Sequence, residues 1–246
     1  MNEELKGEVI VVTGGSSGIG DAIVKLCVEE KANVAILDLE KPRADRGGAF
    51  YRVDVSEEAQ VADSFRRIRE EMGPVTGLVN NAGISPKSVP SESVEKEDIL
   101  KTFGVNVFGP MFCNKYAIMQ MKEAGHGSIV NISSVIGVVG SKNSSVYAAS
   151  KAALIGMTKA DAITYSQDNI RVNAVIPGYV HTPLIEKASI RSGDPNGFYD
   201  ALKAKHPVGR LAQPDEIAQA VVFLLSARSS FMTGSSLVVD GGYTAL

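Results

Sequence analysis

At 246 residues, 44% hydrophobic and 22% charged, the chain is long enough for one sizeable α/β core or two small ones. Its formal net charge of −3, with both signs interspersed, excludes the clustered Lys and Arg of a nucleic-acid binder. No apolar run approaches the ~20 residues that span a bilayer, and Cys27, Cys113 and the three histidines show neither disulfide nor metal-ligand spacing.

In chain order, the opening "MNEELKGE" carries no basic or apolar leader region, so no secretory signal is expected. Isolated thiols then fit buried cysteines in a reducing cytoplasm. "VIVVT" (9–13) is a continuous β-branched run, as in a parallel strand covered on both faces. Ile19, Ile23, Leu26 and Cys27 recur at helical spacing and predict a helix from Ile19 onward. "NVAIL" (33–37) and "AFYRVDV" (49–55) predict the second and third strands. Ser56 ahead of Glu57 and Glu58 predicts a helix N-cap, with the helix running to about Met72. "GLVN" (77–80) is the fourth strand, a long helix covers Lys96 to Ala124, and "GSIVNIS" (127–133) is the fifth strand. A small-residue helix from about Ser145 to Ser166 precedes the strand "IRVNAVIPG" (170–178). Pro214-Asp215-Glu216 opens a helix through Leu225, and "SSLVVDGG" (235–242) supplies the seventh strand. Strict β-α alternation implies one doubly wound α/β domain, with a parallel sheet and helices on both faces. Residues 182–213, turn-rich with room for two short helices, read as a lid or binding loop.

The turn "TGGSSGIG" (13–20) after the first strand can do two jobs. Gly14, Gly18 and Gly20 suit a phosphate cradle: a sharp turn, close backbone approach, and free N–H groups at the next helix. The same residues match the G-x-S-x-G elbow of a hydrolase, but only thirteen residues precede Gly14, too few for an upstream oxyanion loop. Asp38 decides for the cradle. An acid ending the second strand accepts hydrogen bonds from both hydroxyls of an adenosine ribose and repels a 2′-phosphate. No cation stands at Ser16, Ser17 or Leu39, which favours NAD, while Lys41 and Arg43 keep NADP as the alternative.

Tyr147 and Lys151 lie four residues apart on the small-residue helix, so their side chains share one face at about 5–6 Å between Cβ atoms. An ammonium that close favours the ionised phenol and moves tyrosine towards a usable general base. Ser134 ends the fifth strand on the carboxyl side, where ligands bind in open α/β sheets. Strand alternation alone leaves Ser133 as its competitor.

Together these residues resemble the short-chain dehydrogenase/reductase family, in its branch of about 250 residues. The resemblance covers essentially the whole chain, through "TGGSSGIG", Asp38, Asp54-Val55, "NNAG" (80–83), Asn106, Ser134, Tyr147, Lys151, Pro177-Gly178 and "DGGYT". It implies a Rossmann fold and a general acid/base role for Tyr147. Lys151 would lower the tyrosine pKa and hold the nicotinamide ribose, Ser134 would orient the reacting oxygen, and Asn106 would support a water-linked proton relay. Cofactor contacts are implied for Gly14, Ser16, Ser17, Gly18, Ile19 and Gly20 in the loop, and for Leu39 beside Asp38. Asp54 and Val55 would edge the adenine. Asn81 and Gly83 would stand on the adenosine side and Val180 and Thr182 at the carboxamide, with Ala82, Pro177 and Gly178 as further cofactor contacts. Family members are commonly tetramers, so a homotetramer with a packed C-terminal strand is expected.

The reading is an NAD(H)-dependent oxidoreductase acting on a small-molecule secondary alcohol or its ketone, with no metal, nucleic-acid or membrane partner. An NADPH-dependent ketone or 3-oxoacyl reductase is the alternative within the family. A dinucleotide-sensing protein without catalysis is the alternative outside it.

Overall fold

The computed structural model describes residues 3–245. Its elements in chain order are β1 (Val9–Thr13), α1 (Gly18–Glu29), β2 (Asn33–Asp38), β3 (Ala49–Arg52), α2 (Glu58–Met72) and β4 (Gly77–Asn80). Then come α3 (Lys96–Phe103), α4 (Gly109–Ala124), β5 (Gly127–Ile132), α5 (Ser145–Tyr165) and β6 (Ile170–Pro177). The last are α6 (Pro183–Arg191), α7 (Pro195–Lys203), α8 (Pro214–Leu225) and β7 (Ser236–Val239). The seven strands form one parallel sheet in the order β3-β2-β1-β4-β5-β6-β7. The chain winds outward from β1 to β3, then returns to β1's other side with β4. That reversal opens a crevice at the carboxyl ends of the strands.

Two apolar layers cover the sheet. Ile10, Val12, Ile36, Val79, Val130 and Val175 face α1 and α8, meeting Ile23, Cys27, Ile217 and Val221. Val11, Leu37, Leu78, Ile129 and Val172 face the other way, against Phe65 and Ile68 of α2 and Ala117 and Met121 of α4. Both faces being buried explains why the central strands read as unbroken apolar runs. Cys27 and Cys113 are free and fully buried, and burial pushes both thiols up to about 12.

One polar chain runs through the second layer. Asn80 donates to Asn114 and to Asn131, each at 2.8 Å, and Asn131 donates to Thr158 at 2.8 Å. Asn114 donates in turn to Asp161 at 2.8 Å, tying α4 to α5.

Four expectations differ. The third strand stops at Arg52 because its partner β2 ends at Asp38; Val53 makes the last bond, to the Asp38 carbonyl. Ser56 does not cap α2. Its backbone N–H and hydroxyl both donate to Asp54, and Glu57 takes the cap position. The helix expected over 96–124 is broken by a π turn at Gly104–Phe108, whose centre is the fully buried Asn106. Elsewhere β7 is shorter than 235–242, since Gly241 (φ 59°) and Gly242 (φ 85°) turn the chain after Asp240. Both short helices expected within 182–213 are present, as α6 and α7.

Candidate active site

A cleft of about 590 Å³ lies at the carboxyl ends of the strands. Its cofactor half starts at the glycine loop. Gly14 (φ 63°) and Gly18 (φ 55°) hold conformations that side chains rarely adopt, and a Cβ on Gly14 would meet the Ala82 Cα at 2.9 Å. Thr13 anchors the loop: its hydroxyl accepts from the N–H groups of Asn81 and Ala82, both at 3.0 Å. Asn81 adds side-chain bonds to the carbonyls of Thr13 and Gly14, both at 3.0 Å. Helix α1 begins here with no side chain capping its N-terminus, leaving N–H groups facing the loop.

Asp38 accepts from the Ser16 N–H at 3.0 Å and the Glu40 N–H at 3.3 Å, which fixes its carboxylate at the end of β2. Beside it the Ser16 hydroxyl is buried without a hydrogen-bond partner. Leu39, Asp54 and Val55 continue this wall. The cradle, the uncapped helix end and the fixed acid suit the phosphates and ribose of a dinucleotide.

In the other half, Ser134, Tyr147 and Lys151 line the same cleft. Ser134 accepts from the Ile136 N–H at 3.2 Å and hydrogen-bonds Tyr147. Ser133 also lines the cleft but is buried and donates to the Lys151 carbonyl at 2.8 Å, so it holds α5, while Ser134 is the serine bonded to Tyr147. The Lys151 Nζ donates to the Ile132 carbonyl at 2.8 Å and lies 5.8 Å from the Tyr147 ring centre.

Burial pushes the Tyr147 phenol up to about 12, although part of the ring faces the cleft; the Ser134 bond pulls it back and Tyr179 pushes it further. Burial also lowers the Lys151 ammonium to about 8. The expected lowering of Tyr147 by Lys151 is thus reversed among the protein's own groups. Desolvation is the largest cause for each and disfavours its charged form. At neutral pH the phenol is protonated.

Three of the expected residues stand behind the cleft wall. Gly20 is buried, and a Cβ there would come within 2.6 Å of the Asn81 Nδ2 and overlap the Gly14 carbonyl. It packs the helix onto the loop. Ser16 stands behind Asp38. Asn106 accepts from the Ile84 N–H at 2.9 Å and donates to the Ile84 carbonyl and to Ser150, both at 3.0 Å. It fastens the loop after β4 to α5. Ile19, Gly83, Pro177, Gly178, Val180 and Thr182 all line the cleft as expected.

The segment after β6 leaves and returns at one neck, where Val180 bridges Ala212. Its first residue, Thr182, comes within 3.3 Å of where a Gly18 Cβ would stand, so the excursion begins against the glycine loop. Leu184, Ile185, Phe198 and Leu202 give the cleft an apolar wall, joined by Arg191 and Lys205. Ile190 of the same segment faces solvent and Tyr199 stacks on His181, so neither lines the cleft. Sequence reading missed Tyr179, which lines the cleft and packs against His206 and Tyr243. His206 is buried, with Nδ1 on the Leu202 carbonyl and Nε2 on the Tyr179 N–H; an aromatic after Pro177-Gly178 was its only signal.

Among the described residues no cluster could hold a metal ion, and no helix is long and apolar enough to cross a membrane. The family model described as enoyl-(acyl carrier protein) reductase matches residues 14–244. The cis-4-hydroxycyclohexanecarboxylate dehydrogenase of Sinomonas cyclohexanicum is 40% identical over 255 aligned positions, covering 100% of both chains. The NADP-dependent (R)-specific alcohol dehydrogenase of Lentilactobacillus kefiri is also 40% identical, over 260 positions and 100% of both. The ligand-free aldohexose dehydrogenase of Thermoplasma acidophilum superposes with a TM-score of 0.95 at 38% identity, covering 100% of this chain and 97% of that one. With these matches over its full length, and a doubly wound sheet beneath them, the chain belongs to the short-chain dehydrogenase/reductase family of oxidoreductases.

Proposed function

We propose that the protein is an NAD(H)-dependent oxidoreductase that interconverts a secondary alcohol and its ketone. The observation that carries this reading is the meeting of Ser134, Tyr147 and Lys151 with the glycine cradle and Asp38 in one cleft. Bound NAD(H) supplies the hydride acceptor or donor. Tyr147 carries the proton at the substrate oxygen: its protonated phenol donates to a ketone, and its phenolate accepts from an alcohol. Ser134 hydrogen-bonds the same oxygen and orients it. The Lys151 ammonium, held by the Ile132 carbonyl, favours the phenolate when an alcohol proton must be taken. Gly14, Ser17, Gly18 and Ile19 hold the phosphates, Asp38 the adenosine ribose, and Asp54 and Val55 the adenine. Asn106 acts as a positioning residue through Ile84 and Ser150. The chain works as one domain, with residues 182–213 as its lid.

Replacing Tyr147 with Phe tests the proton role. Turnover should fall by at least about two orders of magnitude while NADH binding persists. Unimpaired turnover with bound NADH would refute it.

A second reading, NADPH-dependent reduction, is favoured by the NADP dependence named for the Lentilactobacillus kefiri relative. Asp38 argues against it, since a 2′-phosphate would meet its carboxylate, and neither Lys41 nor Arg43 lines the cleft. Asp38→Ala should lower the NAD-to-NADP ratio of kcat/KM roughly 10- to 100-fold, the range of a lost charged hydrogen bond. An unchanged ratio would remove the ribose assignment.

A further inference from the structure

The charged groups along the cleft are sorted by sign. Its acids, Asp38 and Asp54, stand at the adenosine end. At the substrate end the charged groups besides Lys151 are Lys142, Arg191 and Lys205, all cations, in a chain whose net charge is −3. They come from separate segments: the loop before α5, the end of α6, and the turn after α7. Acids on the same excursion are turned elsewhere. Asp194 accepts from the Gly197 N–H, Asp200 pairs with Lys203, and Glu186 does not line the cleft.

The cations have no such counter-charge. Among the described residues, Arg191 and Lys142 form no side-chain hydrogen bond or ion pair, and Lys205 has only the Tyr179 face, at 5.5 Å. Three same-sign charges at the rim of a low-dielectric cleft attract an anion and focus it inward. The walls between them, Ile185, Phe198 and Leu202, are apolar. A ligand suited to this end has a hydrocarbon body with an anionic group directed at the rim.

We propose that Lys142, Arg191 and Lys205 form an anion-recognition subsite that selects an alcohol bearing a carboxylate. This rests on the alcohol–ketone reading above and narrows it from secondary alcohols to hydroxy acids. Because all three cations are exposed, they act mainly on capture of the substrate and are weakened by salt.

The test uses the NAD-loaded protein with two matched probes, 3-hydroxycyclohexanecarboxylate and its uncharged carboxamide. The readout is the ratio of their kcat/KM values. The acid should be preferred, and Arg191→Gln or Lys205→Gln should each lower that ratio roughly 3- to 10-fold, as for a partly exposed charge contact. Added salt should narrow the ratio, and Lys187→Gln, on the same helix but off the cleft, should leave it unchanged. A carboxamide turned over as well as the acid would overturn the proposal while leaving the redox reading intact. So would an Arg191→Gln variant that lost NADH affinity at an unchanged ratio, because the charge would then serve the cofactor. Binding of cyclohexanecarboxylate to the NADH complex, followed by nicotinamide fluorescence, separates the two readings. Selective loss of that binding in Arg191→Gln, with turnover of neither probe, would uphold the subsite and refute the alcohol chemistry.

Discussion

Lys151 carries a charge that the fold disfavours, and that gives its chemistry a thermodynamic signature. Its pKa falls from 10.5 to about 8 through burial, so between those values the unfolded chain binds more protons than the folded one. Stability therefore rises with pH across that window. Tyr147 opposes this in the upper part of the window, where the unfolded phenol of pKa 10.0 begins to ionise while the folded one, raised to about 12, does not, but it is common to both proteins compared. Relative to Lys151→Met, the wild-type protein should gain about 2 kcal/mol from about pH 7.5 to about pH 9.5 by urea denaturation. A flat difference would mean that the ammonium is solvated. Sequence spacing brought these two residues together, but it could not give the sign of the tyrosine shift, which depends on how much water the fold removes. Alternation could not choose between Ser133 and Ser134, because β5 ends at Ile132 and the pattern no longer applies beyond it, so that choice came from the family's spacing to Tyr147.

Elements were legible where apolar periodicity was local and failed where a distant partner set the boundary. "VIVVT" and "GLVN" became β1 and β4 unchanged. The third strand was overextended because only the end of β2 tells β3 where to stop. The 96–124 helix looked continuous because a π turn adds a residue without disturbing the apolar pattern on either side. Gly104 opens that turn and Gly109 follows it, and a Cβ on Gly109 would press on Val55 at 2.9 Å, so the second glycine is a contact between α4 and the cleft wall at Val55. The start of α1 depends on a similar close approach. Gly20→Ala should destabilise the chain by at least about 2 kcal/mol and weaken NADH binding, because backbone must move to admit the methyl. Wild-type melting and NADH titration curves for that variant would contradict the packing role.

At the scale of the whole molecule, β-α alternation read along the chain gave a parallel doubly wound sheet, but strand order is a long-range property that no local pattern carries. Assembly entered only through the family resemblance, which implies a homotetramer; we keep that as a proposal, on which the exposed apolar residues bear. Met111 and Met119 on α4 and Ile163 on α5 are 47%, 64% and 80% exposed, and these two helices lie side by side through Asn114 and Asp161. A second patch, Phe231 and Val238, borders the open edge at β7. Two separate faces accommodate a tetramer of twofold pairs. Light scattering should give four times the 26.0 kDa of the chain, and Met119→Glu with Ile163→Lys should halve it. A monomeric wild-type protein would end that proposal. The Asn80–Asn131 bond has a different reach, because the two residues face each other in the β4–β5 register. A slip of one residue during folding would set an amide against Val130 or Ile132 and strand its polar atoms in hydrocarbon. A misregistered pairing forfeits that bond, so the two amides favour the native register of β4 and β5 over its one-residue neighbours.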